Sequence, residues 1–155
     1  MSLNPYVRKG KVSAAVGDFG IVTSAAGITA TTAVAGATVA ATGTVTAGTY
    51  VKASAATSIT AYAGGGQTNA TQLAAQINHV TTVATAADSV KLPASAVGMT
   101  VVVINGAASN SMQVFGAGTD TINDVATATG VAQAAGKTAT YHCPVAGKWY
   151  RNLSA

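Results

Sequence analysis

The sequence predicts a mainly β protein: an antiparallel β-sandwich or barrel of short strands, with one short helix near residues 70–79, an extended N-terminal arm and a trimeric state. Three observations lead there. Segments rich in Val, Ile and Thr, with apolar and polar positions alternating, recur along the chain between Gly, Pro, Asn and Asp. β-Branched side chains are stiff at χ1 and suit a pleated surface better than a helix. Only 8% of the 155 residues are charged, against roughly 25% in an ordinary soluble protein. Glutamate is absent, and the acids are Asp18, Asp88, Asp120 and Asp124. So sparse a charge does little to hold copies apart, which favours faces covered by other subunits.

The first region, residues 1–20, reads as an arm. Arg8, Lys9 and Lys11 follow Tyr6 and Val7 and supply +3 of the net +4. The alternatives for this cluster are a solvated terminus or a basic arm laid on an acidic protein surface, with Tyr6 and Val7 as apolar anchors. Nucleic-acid binding is not expected, because no basic face interleaved with aromatics is present. No apolar run with a cleavage site follows Met1, so no signal peptide is expected. Residues 19–51 carry no charge, yet they are Thr, Gly and Ala with scattered Val, too poor in Leu and Ile for a membrane span.

Residues 21–62 read as a β-hairpin region, because "TAVAGATV" from Thr32 is echoed by "TVTAGTYV" from Thr44. The glycine-rich stretch 63–68 reads as a linker. The C-terminal β-module, 69–155, opens on the predicted helix. Leu73, Ile77 and Val80 stand at i, i+4 and i+7, Asn69 or Thr71 can serve as N-cap, and His79 falls at the helix end.

Short strands follow at 80–85, 89–92, 100–104, 112–115, 131–134, 138–143 and 148–153. Their spacing of about 8 to 12 residues is that of a sandwich or barrel. Asn105-Gly106 after "TVVVI" predicts a tight hairpin. Within that strand Val102 and Ile104 share one face, opposite Val101 and Val103. Placing Val102 in the core makes Val102→Asp incompatible with folding. Asp120 and Asp124, in "GAGTDTIND", read as caps of their own turns.

Little else in the chain suggests chemistry. "GKT" at 136–138 resembles a phosphate loop, but such a loop has four residues between its first glycine and the Gly-Lys pair, and Gly130 and Gly136 enclose five. It also has to open a helix, and Lys137 leads into the alternating strand "TATYHC". "AGK" recurs at 146–148 before "KWYRNL", so both triplets read as turns opening consecutive antiparallel strands. His142 and Cys143 are adjacent in a strand and point to opposite faces. Cys143 is the lone cysteine and His79 the other histidine, too few ligands for zinc. No metal, no cofactor and no enzymatic activity are expected. Asn69 and Asn152 begin glycosylation patterns that matter only on a secretory route. Trp149 and Tyr150 are strand neighbours, so one points inward and the other outward, where it offers an aromatic anchor to a partner.

Residues 80–151 resemble a module repeated across virion surface proteins of tailed bacteriophages. The features that carry the resemblance are "VTTV", "VKLP", "VVVIN", "DTIN" and the closing "AGKWYR" hairpin, in that order. In that group the module occurs in capsid decoration (cement) proteins, head fibres and tail-fibre segments, commonly as trimers. The resemblance implies a decoration protein on the outer capsid surface that bridges subunits of the major capsid protein. The expected site residues are then Tyr6, Val7, Arg8, Lys9 and Lys11 in the arm, with Trp149 and Tyr150 as partner anchors. The alternative is a head- or tail-fibre adhesin module that stacks aromatic rings on host carbohydrate; a small hydrolase is the least favoured class.

Overall fold

A computed structural model describes residues 50–155. The described residues lie in the unit Ala47–Ala155. The arm residues Tyr6, Val7, Arg8, Lys9 and Lys11 lie outside the described residues, as do the paired segments from Thr32 and Thr44 up to Thr49.

The described residues form ten strands and no helix. In order these are β1 (Ala55–Thr60), β2 (Thr71–Gln72), β3 (Ile77–Thr82), β4 (Ser89–Lys91) and β5 (Thr100–Asn105). β6 (Met112–Phe115), β7 (Thr121–Ile122), β8 (Val131–Gln133), β9 (Thr138–Val145) and β10 (Lys148–Leu153) complete the unit. One sheet has the order β1-β3-β5-β9-β10-β7 and the other β2-β4-β6-β8. β1, β3 and β5 are mutually parallel, and so are β2, β4 and β6. The chain therefore visits the two sheets alternately and returns one strand further along each time. That is a short β-solenoid of three coils. Ala55 lies opposite Ile77 and Ile77 opposite Val102, so each coil takes some two dozen residues.

The expected antiparallel sandwich is thus corrected to mixed sheets. Antiparallel pairing between strands falls at the closing end, where β8 runs against β6, β9 against β5, and β10 against β9; a single antiparallel bridge, Tyr62 with Ser89, lies outside the strands. Strand spacing alone does not separate hairpins from coils, because both need a polar break every ten residues or so. What differs is the break itself. Asn105-Gly106, expected as a hairpin, is a corner at which the chain leaves one sheet for the other. The buried Asn105 side chain locks it, donating to Asn110 O at 3.0 Å and Gln133 O at 2.9 Å and accepting from Ala107 N at 3.1 Å. A Cβ at Gly106 would meet the His79 imidazole, so a side chain there has to move the ring. The glycine-rich stretch 63–68 connects β1 to β2 inside the same unit.

The expected helix near 70–79 is also corrected. Its residues form β2, a corner and the start of β3. Leu73 and Val80 are buried as a helical stripe would require, but Ile77 points out of the sheet and the buried neighbour is Asn78. Asn78 Nδ2 donates to Ala75 O at 2.7 Å, which fixes the corner before β3. The i, i+4, i+7 spacing arises from one corner residue and one strand residue that share a core. His79 is accordingly a strand residue, its Nδ1 3.4 Å from Thr57 Oγ1 across to β1.

The core lies between the two sheets and gathers Leu73, Val80, Leu92, Met112, Ile122, Tyr141 and Trp149, all essentially inaccessible. Fully burying an aliphatic side chain of this kind contributes about 1.5–3 kcal/mol. β5 alternates as its sequence predicts, but with the opposite face inward: Val101 and Val103 are buried, and Val102 and Ile104 are half-buried on the outside. The expectation that Val102 belongs to the core is therefore corrected. The register of β5 against β9 decides it, since Val101 and Val103 lie opposite the buried Tyr141 and Ala139. Polar groups at the core margin find partners, as burial demands. Gln133 Nε2 donates to Val103 O and Lys137 O, both at 2.9 Å, and its Oε1 accepts from Tyr141 Oη at 3.3 Å. Burial pushes the Tyr141 phenol well above the ordinary tyrosine range.

The two Ala-Gly-Lys turns are found where expected. Gly136 (φ 72°) precedes β9 and Gly147 (φ 83°) precedes β10, both in the left-handed region that glycine enters without strain.

Candidate functional site

The outward surface of the larger sheet is built by the pleat. On β10, Trp149 is fully buried and Tyr150 is 38% exposed, so the inward ring is Trp149 and the outward ring Tyr150. The Trp149 indole N–H has no hydrogen-bond partner among the described residues, and it is packed within the apolar core. Tyr150 lies opposite His142 on β9, and His142 lies opposite Thr100 on β5. His142 and Cys143 do face opposite ways, the histidine exposed and the cysteine buried.

A polar row crosses the sheet at this level. Thr100 Oγ1 and His142 Nδ1 are 3.2 Å apart. Further along, Tyr150 Oη donates to Asp124 Oδ2 at 2.9 Å, and Lys148 Nζ donates to Asp124 Oδ1 at 2.7 Å. The loop after β7 delivers Asp124 through two consecutive residues at positive φ, Asn123 (51°) and Asp124 (57°). Asn123 is tied to β10 at both ends: its N–H donates to Trp149 O at 2.8 Å and its Oδ1 accepts from Arg151 N at 2.8 Å. The hydrogen bond from Lys148, and then that from Tyr150, holds the Asp124 carboxyl below the usual carboxylate range. The same carboxylate raises Lys148 and Tyr150, each chiefly through its hydrogen bond to Asp124. With both oxygens engaged, Asp124 is a tether and is poorly placed to act as a general base.

The other two aspartates of this unit are tethers as well. The expectation that Asp120 caps its own turn is corrected: its carboxylate accepts from Ser95 N at 2.9 Å and Ser95 Oγ at 3.1 Å. Ser95 Oγ in turn accepts from Gly147 N at 2.7 Å, so Asp120, the β4–β5 connection and the β9–β10 turn form one chain of bonds. The same correction applies to Asp124, which holds β10 and not its own turn. Asp88 carries no signal for a long-range role in the sequence. It is 1% exposed and accepts from Thr85 Oγ1 at 2.7 Å, Thr85 N at 3.0 Å and Gly64 N at 3.3 Å. The backbone bond from Thr85 leads the causes that lower its pKa, and burial opposes them. Thr85, three residues before Asp88, is the local hint of this motif; the bond to Gly64 has no counterpart in the local sequence.

Two shallow depressions flank these strands. One, of about 380 Å³, lies at the corners between coils and is lined by Ser54, Gln76, Pro93, Met99 and Thr100, among others. The other, of about 230 Å³, lies on the smaller sheet between Gln67, Gln72, Lys91 and Gly118. Among the described residues no three His, Cys, Asp or Glu side chains are grouped to hold a metal, and no helix is long and apolar enough to cross a membrane. Comparisons with protein-family models, curated proteins and solved structures return no match.

The remaining feature is the face itself. The outward positions of the three adjacent strands β3, β5 and β9 are Ile77, His79, Thr81, Thr100, Val102, Ile104, Thr138, Thr140, His142 and Pro144. Seven of these ten are β-branched, and none is Asp, Glu, Lys or Arg. Charge begins only at the margin, with Lys148 and Asp124.

Proposed function

We propose that this chain is a bacteriophage capsid decoration protein that sits on the outside of the head and bridges subunits of the major capsid protein. The observation that carries the reading is the uncharged, β-branched face of β3, β5 and β9. Stiff side chains on a paired sheet lose little rotamer freedom when covered, so such a face suits a protein neighbour. The low charge of the whole chain and the resemblance of residues 80–151 to virion surface modules point the same way. Mechanically, each bridge adds interface that must be lost before the shell can expand or rupture. The arm, with Tyr6, Val7, Arg8, Lys9 and Lys11, is the proposed contact with an acidic capsid surface. Each exposed ion pair there contributes about 0.2–1 kcal/mol and weakens with salt.

Co-sedimentation with undecorated heads tests this. The full chain is expected to pellet with heads at low salt and less at high salt, and deletion of residues 1–17 is expected to leave a folded protein that stays in the supernatant. Equal binding by both proteins at both salts rules out the arm.

A second reading, an adhesin module on a head or tail fibre, draws on the exposed Tyr150 ring with Asp124 and Lys148 beside it. An aromatic platform with polar groups at its rim is how many sugars are held. Binding of a host-surface glycan that is lost in Tyr150→Ala supports it, and no binding across a glycan panel removes it.

A further inference from the structure

We infer that the depression of about 230 Å³ on the smaller sheet binds a hydroxylated carboxylate of the uronic acid class, with Lys91 as its cation and Gln67 and Gln72 as its acceptors. The inference rests on the adhesin reading only for where such a ligand comes from; its site is a different one from Tyr150, and its argument is local.

The pleat places Lys91. Val90 and Leu92 on either side of it are fully buried, so Lys91 points out of the smaller sheet, opposite Gln72 on β2. The residue is half-buried, and its ammonium donates to Thr68 O at 3.1 Å, which holds it at the depression. Its other N–H groups have no partner among the described residues. The two glutamines are oriented by the backbone. Gln67 Nε2 donates to Gly116 O at 2.8 Å and Gly118 O at 2.9 Å, and Gln72 Nε2 donates to Leu73 O and Leu92 O, both at 2.9 Å. Each amide nitrogen is thus occupied by carbonyls, and each Oε1 is left without a partner among the described residues. The Gln67 oxygen is not sealed from water, and Gln72 is exposed.

That set of groups selects its ligand. A carboxylate pairs with the ammonium, and hydroxyls beside it donate to the amide oxygens. Sulfate brings acceptors alone and sets them against those oxygens. An α-amino acid carries its donor as a second ammonium, which Lys91 repels at this range. A neutral sugar leaves the Lys91 charge unpaired. The charges of the unit point the same way, because its acids are engaged within it. Asp88 is buried, Asp120 is bonded to Ser95 and Asp124 is paired with Lys148. Lys91 has no acidic partner among the described residues, so its field reaches an approaching anion uncancelled.

The experiment titrates the full chain with galacturonate, its linear trimer, glucose and sulfate by calorimetry, with far-ultraviolet circular dichroism to check the fold of each variant. Galacturonate and the trimer are expected to bind, and glucose and sulfate to bind at least tenfold more weakly. A trimer held more tightly than the single sugar supports the site with a polysaccharide as the source, and equal affinity supports it with a terminal or single residue. Lys91→Gln and Gln72→Ala are expected to keep the β spectrum and to weaken galacturonate at least tenfold, and Tyr150→Ala to leave it unchanged. Wild-type protein that ignores galacturonate at millimolar concentration, or takes sulfate as tightly, overturns the inference, and these two results need no variant to fold. A folded Lys91→Gln that binds galacturonate like the wild type overturns it as well. The adhesin reading through Tyr150 fails separately: uronate binding lost in Lys91→Gln, with no glycan lost in Tyr150→Ala, removes the Tyr150 platform and leaves this site standing. Glycan binding lost only in Tyr150→Ala does the reverse.

Discussion

Val101 and Val102 are neighbours in β5 with opposite surroundings. Val101 is 1% exposed and lies opposite Tyr141, whereas Val102 points away from the core opposite Thr140. A charge at the first position is buried without a partner, at a cost of several kcal/mol; at the second it reaches water. Val101→Asp is therefore expected to abolish folding, and Val102→Asp to give a soluble protein with a cooperative melt. Circular dichroism melts of the two variants check this, and the reverse ranking would mean that β5 is one residue out of register.

Asp120 holds two segments at once through Ser95. Asp120→Ala strips the acceptor from both the Ser95 N–H and the Ser95 hydroxyl, and leaving such groups unpaired costs about 1–3 kcal/mol each. The expected loss is about 2–4 kcal/mol in urea unfolding, with Ser95→Ala reproducing part of it. A double variant no worse than Asp120→Ala alone would show that the two act as one unit.

Asp88 predicts a pH dependence. Its folded-state pKa lies below the unfolded value, so the stability it contributes is fully present above the ordinary aspartate range, about 4. That stability is lost as pH falls through the lowered folded value. Wild-type Tm is expected to drop across this acid window, and Asp88→Asn to start lower at neutral pH and drop less. Parallel Tm curves for the two proteins would remove Asp88 as the responsible group.

Gly106 and His79 form a steric pair. Gly106→Ala places a methyl where the imidazole sits, and the ring must leave its position beside Thr57. The single variant is expected to lose about 1–3 kcal/mol by overpacking, and His79→Ala in the same chain to restore most of it. Denaturant melts of the four proteins in this cycle give the coupling directly.

Tyr150 reports on its tether. Its phenol ionises above the ordinary range because it donates to Asp124, so Asp124→Ala is expected to bring its ultraviolet titration down toward ordinary tyrosine. The contribution of the Tyr150 phenol to folding is present below the unfolded tyrosine value and is lost as pH rises through the folded one.

The strands are legible in the sequence because period-two alternation and turn residues are local facts. β4, β5, β6, β8, β9 and β10 lie where "SVK", "TVVVI", "MQVF", "VAQ", "TATYHC" and "KWYRNL" place them. The partner of each strand is not legible. Parallel and antiparallel neighbours need the same side chains, and a corner such as Asn78 or Asn105 differs from a turn only in bonds made to residues far along the chain. The face of β5 that turns inward is set by Tyr141 and Ala139 on β9, which no window around Val102 contains. At the site, the inward and outward split of Trp149 and Tyr150 follows from the pleat alone. Asp120 and Asp124 read locally as caps because their partners, Ser95, Lys148 and Tyr150, come from other elements.

The closing strands β8, β9 and β10 give the solenoid a direction. At that end the ladder stops on reversed strands and a sealed hairpin, while among the described residues the other edge is formed by β1 and β2, each paired in parallel with its neighbour. Height and end-fitting are thus separate variables. Duplicating one rung, residues 77–101, repeats the offset by which Ile77 lies opposite Val102 and leaves the stopper untouched. A fold built this way can be lengthened by whole layers while the piece that terminates it stays the same.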